Sequence, residues 1–246
     1  MLVIIKSQYE GFMPNLLHDK ITLKVSDASK MDCYVARIRD EQPRPGLIVL
    51  QEAFGVNEHI RDVAERFGRE GFVAIAPELY HRTAPGKEFA YTDFPAVREH
   101  MSAMTREGTD ADLRAAFEWL QSQPFIKGNE ISAVGYCMGG RVAFAANTIL
   151  PLKASVSYYG GGIPDHSLDR AASLHAPQLF FWGGKDKHIP PEQRAAVTNA
   201  LQQAGKSYVN VEFSDADHGF FCDMRPVYNP AAARQSWALT LEFLRA

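Results

Sequence analysis

The fold is specified most strongly by the segment Ile131-Ser132-Ala133-Val134-Gly135-Tyr136-Cys137-Met138-Gly139-Gly140-Arg141-Val142-Ala143. It begins as a short apolar strand, passes through Gly-x-Cys-x-Gly-Gly and continues into an Ala-rich helix start. Such a sharp turn strains its apex, and small residues are needed on both sides because a Cβ there would collide with the turn. The apex points the Cys137 sulfur at a helix N-terminus, where free N–H groups and the dipole favour a thiolate. The alternative is a buried cysteine in a glycine-rich turn.

The composition excludes several classes of protein. A formal net charge of −3 and a pI near 6.2 leave no electrostatic footprint for nucleic acid or an anionic membrane. The three cysteines, Cys33, Cys137 and Cys222, indicate a reducing compartment without a disulfide framework. The apolar run Met1–Ile5 is too short for a signal peptide, and no run approaches the length of a membrane span. We expect a soluble, cytoplasmic protein with a single domain over residues 1–246.

Strands and helices alternate along most of the chain. Ile21–Val25 and Cys33–Ile38 alternate apolar and polar residues and predict an antiparallel hairpin. Leu47–Leu50 and Phe72–Ala76 are continuous apolar runs typical of buried parallel strands. Further strands are predicted at 154–159, 178–182 and 208–213, helices at 57–71, 110–121, 191–204 and 230–244, a loop at 77–90 and a helical segment within 92–107. This pattern predicts an α/β fold: a mostly parallel sheet with helices on both faces and an N-terminal antiparallel hairpin, which binds ligands at the carboxyl ends of its strands.

Three strand ends place reactive side chains at that edge. Cys137 follows one strand, Asp186 follows the next-to-last strand in Gly-Gly-Lys-Asp, and His218 follows the last in Asp-Ala-Asp-His-Gly-Phe. The order nucleophile, acid, base is the order of the α/β-hydrolase fold. His218 can take the thiol proton because its pKa lies near neutrality, and a carboxylate behind it fixes the tautomer. Asp215 and Asp217 are rivals to Asp186, although beside His218 they more naturally shape its turn.

The strand Leu47–Leu50 is followed by a carboxylate and by a loop whose backbone N–H groups could donate hydrogen bonds to a substrate. Glu52 should lie at the same edge, although a strand-end carboxylate is by position alone more often a surface residue. The backbone N–H groups of Ala53 and Met138 could form an oxyanion hole, since the hydrolase pattern combines the residue after the nucleophile with an early strand–helix loop.

Taken together, these residues resemble the dienelactone hydrolase (carboxymethylenebutenolidase) family. The resemblance runs from about Ile21 to the closing helix. Its marks are Gln51-Glu52-Ala53-Phe54-Gly55-Val56-Asn57, Ala76-Pro77-Glu78-Leu79-Tyr80, Gly135-Tyr136-Cys137-Met138-Gly139-Gly140, Tyr158-Tyr159-Gly160, Gly183-Gly184-Lys185-Asp186 and Asp217-His218-Gly219-Phe220. The first and third motifs together are far more specific than any single one.

The resemblance implies a Cys137–His218–Asp186 triad that cleaves an enol-lactone or activated ester through a thioester. In this family the carboxylate that matches Glu52 interacts with the nucleophilic thiol, and substrate binding displaces it so that it helps to generate the thiolate. The resemblance also suggests Tyr158, Phe54 and Arg82 as substrate contacts, with the Ala53 and Met138 amides as the oxyanion hole.

The sequence departs from the family in its arginines. The best-studied members bind the substrate carboxylate with arginines, one of them shortly after the catalytic histidine. No arginine stands at that point here, although Arg225 is nearby. Arg82, Arg98 and Arg106 are each better explained as surface residues. Cys222 is best explained as a packed thiol and Cys33 as part of the sheet.

Two other interpretations of the sequence stay open. A broader carboxylesterase or thioesterase would share the triad, and a non-catalytic protein of this fold would bind a small ligand without needing it. No cofactor is expected, and no metal, because the histidines and cysteines show no ligand spacing. The expected partner is a small-molecule ester or lactone, and neither nucleic acid nor membrane.

Overall fold

A computed structural model describes residues 15–246. The prediction made for Met1–Ile5 lies outside this range. The strands are β1 (Leu16–Lys24), β2 (Lys30–Ile38), β3 (Arg44–Leu50), β4 (Val73–Pro77), β5 (Ile126–Tyr136), β6 (Ser155–Tyr158), β7 (Gln178–Gly183) and β8 (Tyr208–Phe213). The helices are α1 (Glu58–Arg69), α2 (Phe94–Ala103), α3 (Arg106–Ser122), α4 (Met138–Ile149), α5 (Ile163–His166), α6 (Pro191–Gln203) and α7 (Pro230–Arg245), with a 3₁₀ helix at Leu168–Ser173.

The strands form one eight-stranded sheet in the order β1-β2-β4-β3-β5-β6-β7-β8. β1 and β2 pair antiparallel, as do β2 and β4, whereas β4, β3, β5, β6, β7 and β8 run parallel. The predicted hairpin and the mostly parallel sheet are therefore confirmed. The parallel strands bring the turns after β3, β5, β7 and β8 to one edge of the sheet.

Residues of β3 and β4 alternate between two apolar clusters, one on either face of the sheet. Leu47 and Val49 of β3 belong to the first cluster, which also receives α1 and α7. Ile48 and Leu50 belong to the second cluster, which receives α3. Both faces of the sheet are covered, which explains why the central strands read as continuous apolar runs.

Helix caps explain where two of the helices begin. The Asn57 side chain accepts a hydrogen bond from the Ile60 N–H at the start of α1, as the sequence predicts. The helix predicted from residue 110 begins earlier, at Arg106, because the Thr105 hydroxyl accepts a hydrogen bond from the Gly108 N–H at 3.0 Å. Within residues 15–246, none of the helices combines the length and the apolar character that crossing a bilayer requires.

Candidate active site

Cys137 occupies the predicted sharp turn between β5 and α4. Its backbone angles, φ 55° and ψ −117°, lie in a region that side chains rarely adopt. A Cβ on Gly135 would collide with the Gly139 carbonyl oxygen, and a Cβ on Gly139 would collide with the Leu50 carbonyl oxygen. Only glycine at these two positions lets α4 begin so close to β3 and β5. The turn therefore holds the Cys137 side chain at the carboxyl edge of the sheet.

The three residues predicted to act together, Cys137, His218 and Asp186, form one hydrogen-bonded row. His218 Nε2 is 3.1 Å from Cys137 Sγ, and His218 Nδ1 is 2.7 Å from Asp186 Oδ2. Asp186 follows β7 and His218 follows β8, and these two strands are parallel neighbours. Strand order thus explains how residues 81 and 32 positions apart come into contact.

The three aspartates near His218 have different partners. Asp186 Oδ1 accepts the His188 backbone N–H at 2.8 Å, which leaves Oδ2 for the imidazole. Asp217 Oδ1 accepts the backbone N–H of His218 at 2.7 Å, and Asp215 Oδ2 accepts a hydrogen bond from the Asn229 side chain at 3.2 Å. Asp215 and Asp217 therefore shape the turn, and the carboxylate that meets the imidazole ring is Asp186.

The electrostatics of this row favour a charged imidazole. Burial alone would lower the pKa of His218, but the Cys137 sulfur and the Asp186 carboxylate outweigh it and raise that pKa to about 10. Burial alone would raise the pKa of Asp186, but the hydrogen bond from His218 makes the net change a lowering. The arrangement can hold an imidazolium between a sulfur anion and a carboxylate.

Glu52 is completely buried behind this row. Neither of its carboxylate oxygens has a hydrogen-bond partner within residues 15–246, and its nearest cation is Arg225, whose Nη1 lies 3.8 Å from Oε1. Burial raises the pKa of Glu52, and the nearby Arg225, His218 and Tyr159 hydroxyl oppose this only partly. The contact between Glu52 and the thiol that the family resemblance implies is not made here, because the Cys137 sulfur contacts His218 instead.

A cavity of about 510 Å³ opens over Cys137 and His218. Aromatic and sulfur-containing side chains form its apolar wall, and two arginines face it. Its lining includes Phe54, Tyr91, Phe94, Met101, Met138, Arg141, His188 and Arg225. Phe54 therefore lies where the resemblance suggests a substrate contact. Between them, the apolar wall and the arginines suit a small, partly apolar anion.

The two amides proposed for an oxyanion hole lie beside this cavity. Met138 is the first residue of α4 and Ala53 follows β3, so both N–H groups belong to the edge that carries Cys137. Among residues 15–246, neither N–H donates a backbone or side-chain hydrogen bond outside regular secondary structure. Both donors are free to bind an oxygen of a ligand.

Two of the suggested substrate contacts lie elsewhere. Tyr158 is fully buried, and its hydroxyl is 2.7 Å from the Thr240 hydroxyl in α7, because its β6 position points into the core and not toward the cavity. Arg82 forms a double hydrogen bond with Asp112 and a further one with Asp27. Neither Tyr158 nor Arg82 lines the cavity.

The cavity arginines are Arg225, which the sequence could not place, and Arg141, which it missed. Arg225 stacks over Phe54 and Tyr91, with its guanidinium carbon 5.7 and 5.5 Å from the two ring centroids. Arg141 has no hydrogen-bonded or ion-paired side-chain partner in the described part of the chain, and burial lowers its pKa. Its spacing, one helical turn after Cys137, was a usable signal. Tyr91 belongs to an irregular loop, and its sequence context carried no such signal.

Comparison with known proteins agrees with this geometry. A family model described as the dienelactone hydrolase family matches residues 31–246. A Synechocystis sp. protein provisionally named a carboxymethylenebutenolidase is 37% identical over 202 residues, covering 78% of this chain and 82% of its own. A carboxymethylenebutenolidase of Pseudomonas sp. is 35% identical over 205 residues, covering 82% and 84%. A Klebsiella pneumoniae crystal structure provisionally described as a dienelactone hydrolase superposes with a TM-score of 0.86 at 32% identity, covering 94% of this chain and 98% of that one.

Proposed function

We propose that this chain, which belongs to the dienelactone hydrolase family, cleaves enol-lactones and activated carboxylic esters with Cys137, His218 and Asp186 as its catalytic triad. The observation that carries the proposal is the hydrogen-bonded row beneath the cavity. It joins a strained nucleophile at 3.1 Å to an imidazole, and that imidazole at 2.7 Å to a buried carboxylate. This is the geometry that nucleophilic catalysis needs.

Acylation begins with attack of the Cys137 thiolate on the carbonyl carbon. The oxygen of the tetrahedral intermediate takes the negative charge and accepts hydrogen bonds from the Ala53 and Met138 N–H groups. When the carbon–oxygen bond of the ester breaks, the proton on His218 Nε2 goes to the leaving oxygen. The products of this half-reaction are a thioester on Cys137 and an enol or alcohol, which is released from an open-chain ester and stays attached to the acyl group of an opened lactone.

Deacylation reverses these roles. His218, now neutral, takes a proton from a water molecule, and the resulting hydroxide attacks the thioester carbonyl. Collapse of the second tetrahedral intermediate expels the Cys137 thiolate and leaves the imidazolium in place. Asp186 stays ionised throughout and stabilises that imidazolium. The lowered pKa of Asp186 supports this part.

The thiolate restricts the substrates. An alkoxide is a poorer leaving group than a thiolate, so the intermediate of an ordinary alkyl ester would return to starting material. Enol esters, enol-lactones and aryl esters have leaving groups that form stabilised anions, so their tetrahedral intermediates proceed to the thioester. Arg225 and Arg141 face the cavity and supply positive charge for a substrate carboxylate. Enol-lactones that carry a carboxylate therefore combine both requirements.

Steady-state hydrolysis of cis- and trans-dienelactone, measured by loss of their ultraviolet absorbance, tests the proposal. We expect turnover by the wild-type protein and a loss of at least roughly 10³-fold in Cys137→Ala, because the nucleophile is removed. The matched control is Cys33→Ala, which removes a buried thiol from β2, away from the cavity. Far-ultraviolet circular dichroism verifies that both variants are folded.

The outcomes separate the alternatives. Near-normal turnover by Cys137→Ala would remove Cys137 from the mechanism. Cleavage of aryl esters without any turnover of the dienelactones would keep the triad and assign a broader esterase. A wild-type protein that cleaves neither class, yet binds them, would favour the non-catalytic interpretation.

A further inference from the structure

Three metal-ligating side chains meet behind the active-site row, although they are far apart in the sequence. Glu52 follows β3, His59 lies in the first turn of α1, and Cys222 follows His218 by four residues. One carboxylate oxygen, one ring nitrogen and the Cys222 sulfur lie within 4.8 Å of one another. All three residues are 1% exposed or less.

The oxygen and nitrogen atoms of this group are unsatisfied. Both Glu52 oxygens and both His59 ring nitrogens are without a hydrogen-bond partner among residues 15–246. Leaving such groups buried and unpaired destabilises the folded state, so a cluster of them calls for a ligand. In a neutral histidine ring, the nitrogen that carries no proton can donate its lone pair to an ion.

The surroundings of His59 are those of a metal ligand. His59 Nδ1 faces Asp223 Oδ1 at 3.7 Å, and Asp223 Oδ2 accepts a hydrogen bond from Arg66 at 2.6 Å. A carboxylate on the Nδ1 side attracts the ring proton to that nitrogen, which would leave Nε2 to bind an ion. Tyr91 stands on the Cys222 side, with its hydroxyl oxygen 3.3 Å from the sulfur and hydrogen-bonded to Asn57.

We propose that Glu52, His59 and Cys222 form a binding site for a zinc-like divalent cation, with one oxygen, one nitrogen and one sulfur ligand. The fourth position of a tetrahedral ion would be taken by water. Ligand atoms around such an ion are about 3.3–3.5 Å apart, so side-chain shifts of about 1 Å would close the site. Binding releases the thiol proton of Cys222 and, where Glu52 is protonated, its carboxyl proton.

A cation bound at this site would compete with Arg225 for the Glu52 carboxylate. The Arg225 guanidinium is 3.8 Å from Glu52 Oε1 and also lines the cavity, so an ion bound to Glu52 would displace it. An ion would also withdraw Glu52 from the thiol chemistry that the family resemblance assigns to it. The structure therefore suggests a cation that inhibits the enzyme reversibly, a consequence that rests on the proposed function, whereas binding itself does not.

Titration with Co²⁺ tests binding without reference to catalysis. The protein used is Cys137→Ala, because Cys137 and His218 could otherwise bind the ion themselves. We expect one equivalent of Co²⁺ to give the near-ultraviolet charge-transfer band of a cobalt thiolate and the visible bands of a tetrahedral site, both lost on addition of Zn²⁺. Absence of the charge-transfer band would overturn the proposal.

Paired variants identify the ligands. In the Cys137→Ala background, Cys222→Ala should abolish the charge-transfer band, whereas Cys33→Ala, which removes the other buried thiol, should keep it. Asp223→Asn keeps all three ligands and should weaken Co²⁺ binding by about 10-fold or more, because it loses the carboxylate behind His59. Melting curves verify that each variant is folded. A band that survives in Cys222→Ala would also refute the site.

Inhibition is measured separately, on protein with Cys137 intact. Zn²⁺ should slow hydrolysis, a chelator should restore it, and the Zn²⁺ concentration for half-inhibition should rise at least 10-fold in Cys222→Ala but not in Cys33→Ala. If the wild-type protein hydrolyses nothing, the proposed function fails and the Co²⁺ result still stands. If hydrolysis is normal and no cobalt–thiolate band forms, only the metal site fails.

Discussion

The backbone of Cys137 shows how single residues impose the chemistry. Its φ of 55° is held by the crowding of α4 against β3 and β5, which glycines at 135 and 139 permit. A strained conformation of this kind survives only where the surrounding structure enforces it. The sequence predicted this strain because Gly-x-Cys-x-Gly-Gly directly after an apolar run is typical of a sharp strand-to-helix turn.

The charge of His218 gives a residue-scale prediction. Its pKa is raised to about 10, so the imidazole should stay protonated at neutral pH and lose its charge as the pH rises through about 10. Substitution of Cys137 by alanine removes the sulfur that raises this pKa and leaves the burial that lowers it. We expect the His218 pKa in Cys137→Ala to fall toward the ordinary value of 6.5. NMR titration of the ¹³C-labelled ring measures both proteins.

The control for this titration is Cys33→Ala, which should leave the His218 pKa unchanged because Cys33 lies in β2. An identical pKa in the wild type and Cys137→Ala would show that the sulfur does not carry the negative charge. In that case Asp186 alone would account for the shift.

The roles suggested for Tyr158 and Arg82 could not be decided from motifs. Tyr158 belongs to a Tyr-Tyr-Gly motif at a strand end, and only the register of β6 decides that its ring enters the core. Arg82 points away from the cavity because Asp112, thirty residues on, binds it. Such pairings depend on tertiary structure, which a local sequence pattern does not specify.

Strands that are continuous apolar runs could be predicted from the sequence, whereas the residues at which strands and helices begin and end could not. β3 extends back to Arg44 despite Pro45, because its register with β5 shifts between Arg44 and Gly46 and the proline sits at that irregularity. The cluster of Glu52, His59 and Cys222 could not be predicted either, since its third member lies far along the chain from the other two. Metal-site spacing rules apply to local motifs only.

The loop at 77–90 yields an element-scale prediction, because one buried carboxylate attaches it to α3. Asp112 is 2% exposed in its side chain and accepts hydrogen bonds from Arg82 at 2.8 and 2.9 Å and from His81 at 3.0 Å. Asp112→Ala leaves two donors without their acceptor. We expect a loss of about 2–4 kcal/mol in the free energy of unfolding, measured by urea denaturation.

Asp27→Ala is the comparison variant, since Asp27 binds the same arginine from the exposed side and otherwise accepts hydrogen bonds only from Ser29 in its own turn. Its effect should be much smaller because water can replace the lost contact. Equal losses in the two variants would mean that the burial of Asp112 does not strengthen the attachment. If Asp112→Ala loses stability without any change in KM, that result would also agree with the position of Arg82 outside the cavity.

For the whole molecule, the class of fold followed from the alternation of strands and helices, but the strand order did not. The sheet places β4 between β2 and β3 and so makes β2 and β4 antiparallel neighbours. Sequence periodicity carries no signal for which strands pair. What it did specify is burial on both faces, and that property ties the two apolar clusters together through β3, β4 and β5.

This shared sheet leads us to propose that the chain is a single domain that unfolds in one step. Neither cluster can persist alone, because Leu47 and Val49 serve one and Ile48 and Leu50 the other. Trp237 packs against the first cluster and Trp119 against the second. In Trp119→Phe/Trp182→Phe and in Trp182→Phe/Trp237→Phe, the remaining tryptophan should report the same urea midpoint as the circular dichroism of that variant. Different midpoints for fluorescence and dichroism in either variant would instead reveal two independent units.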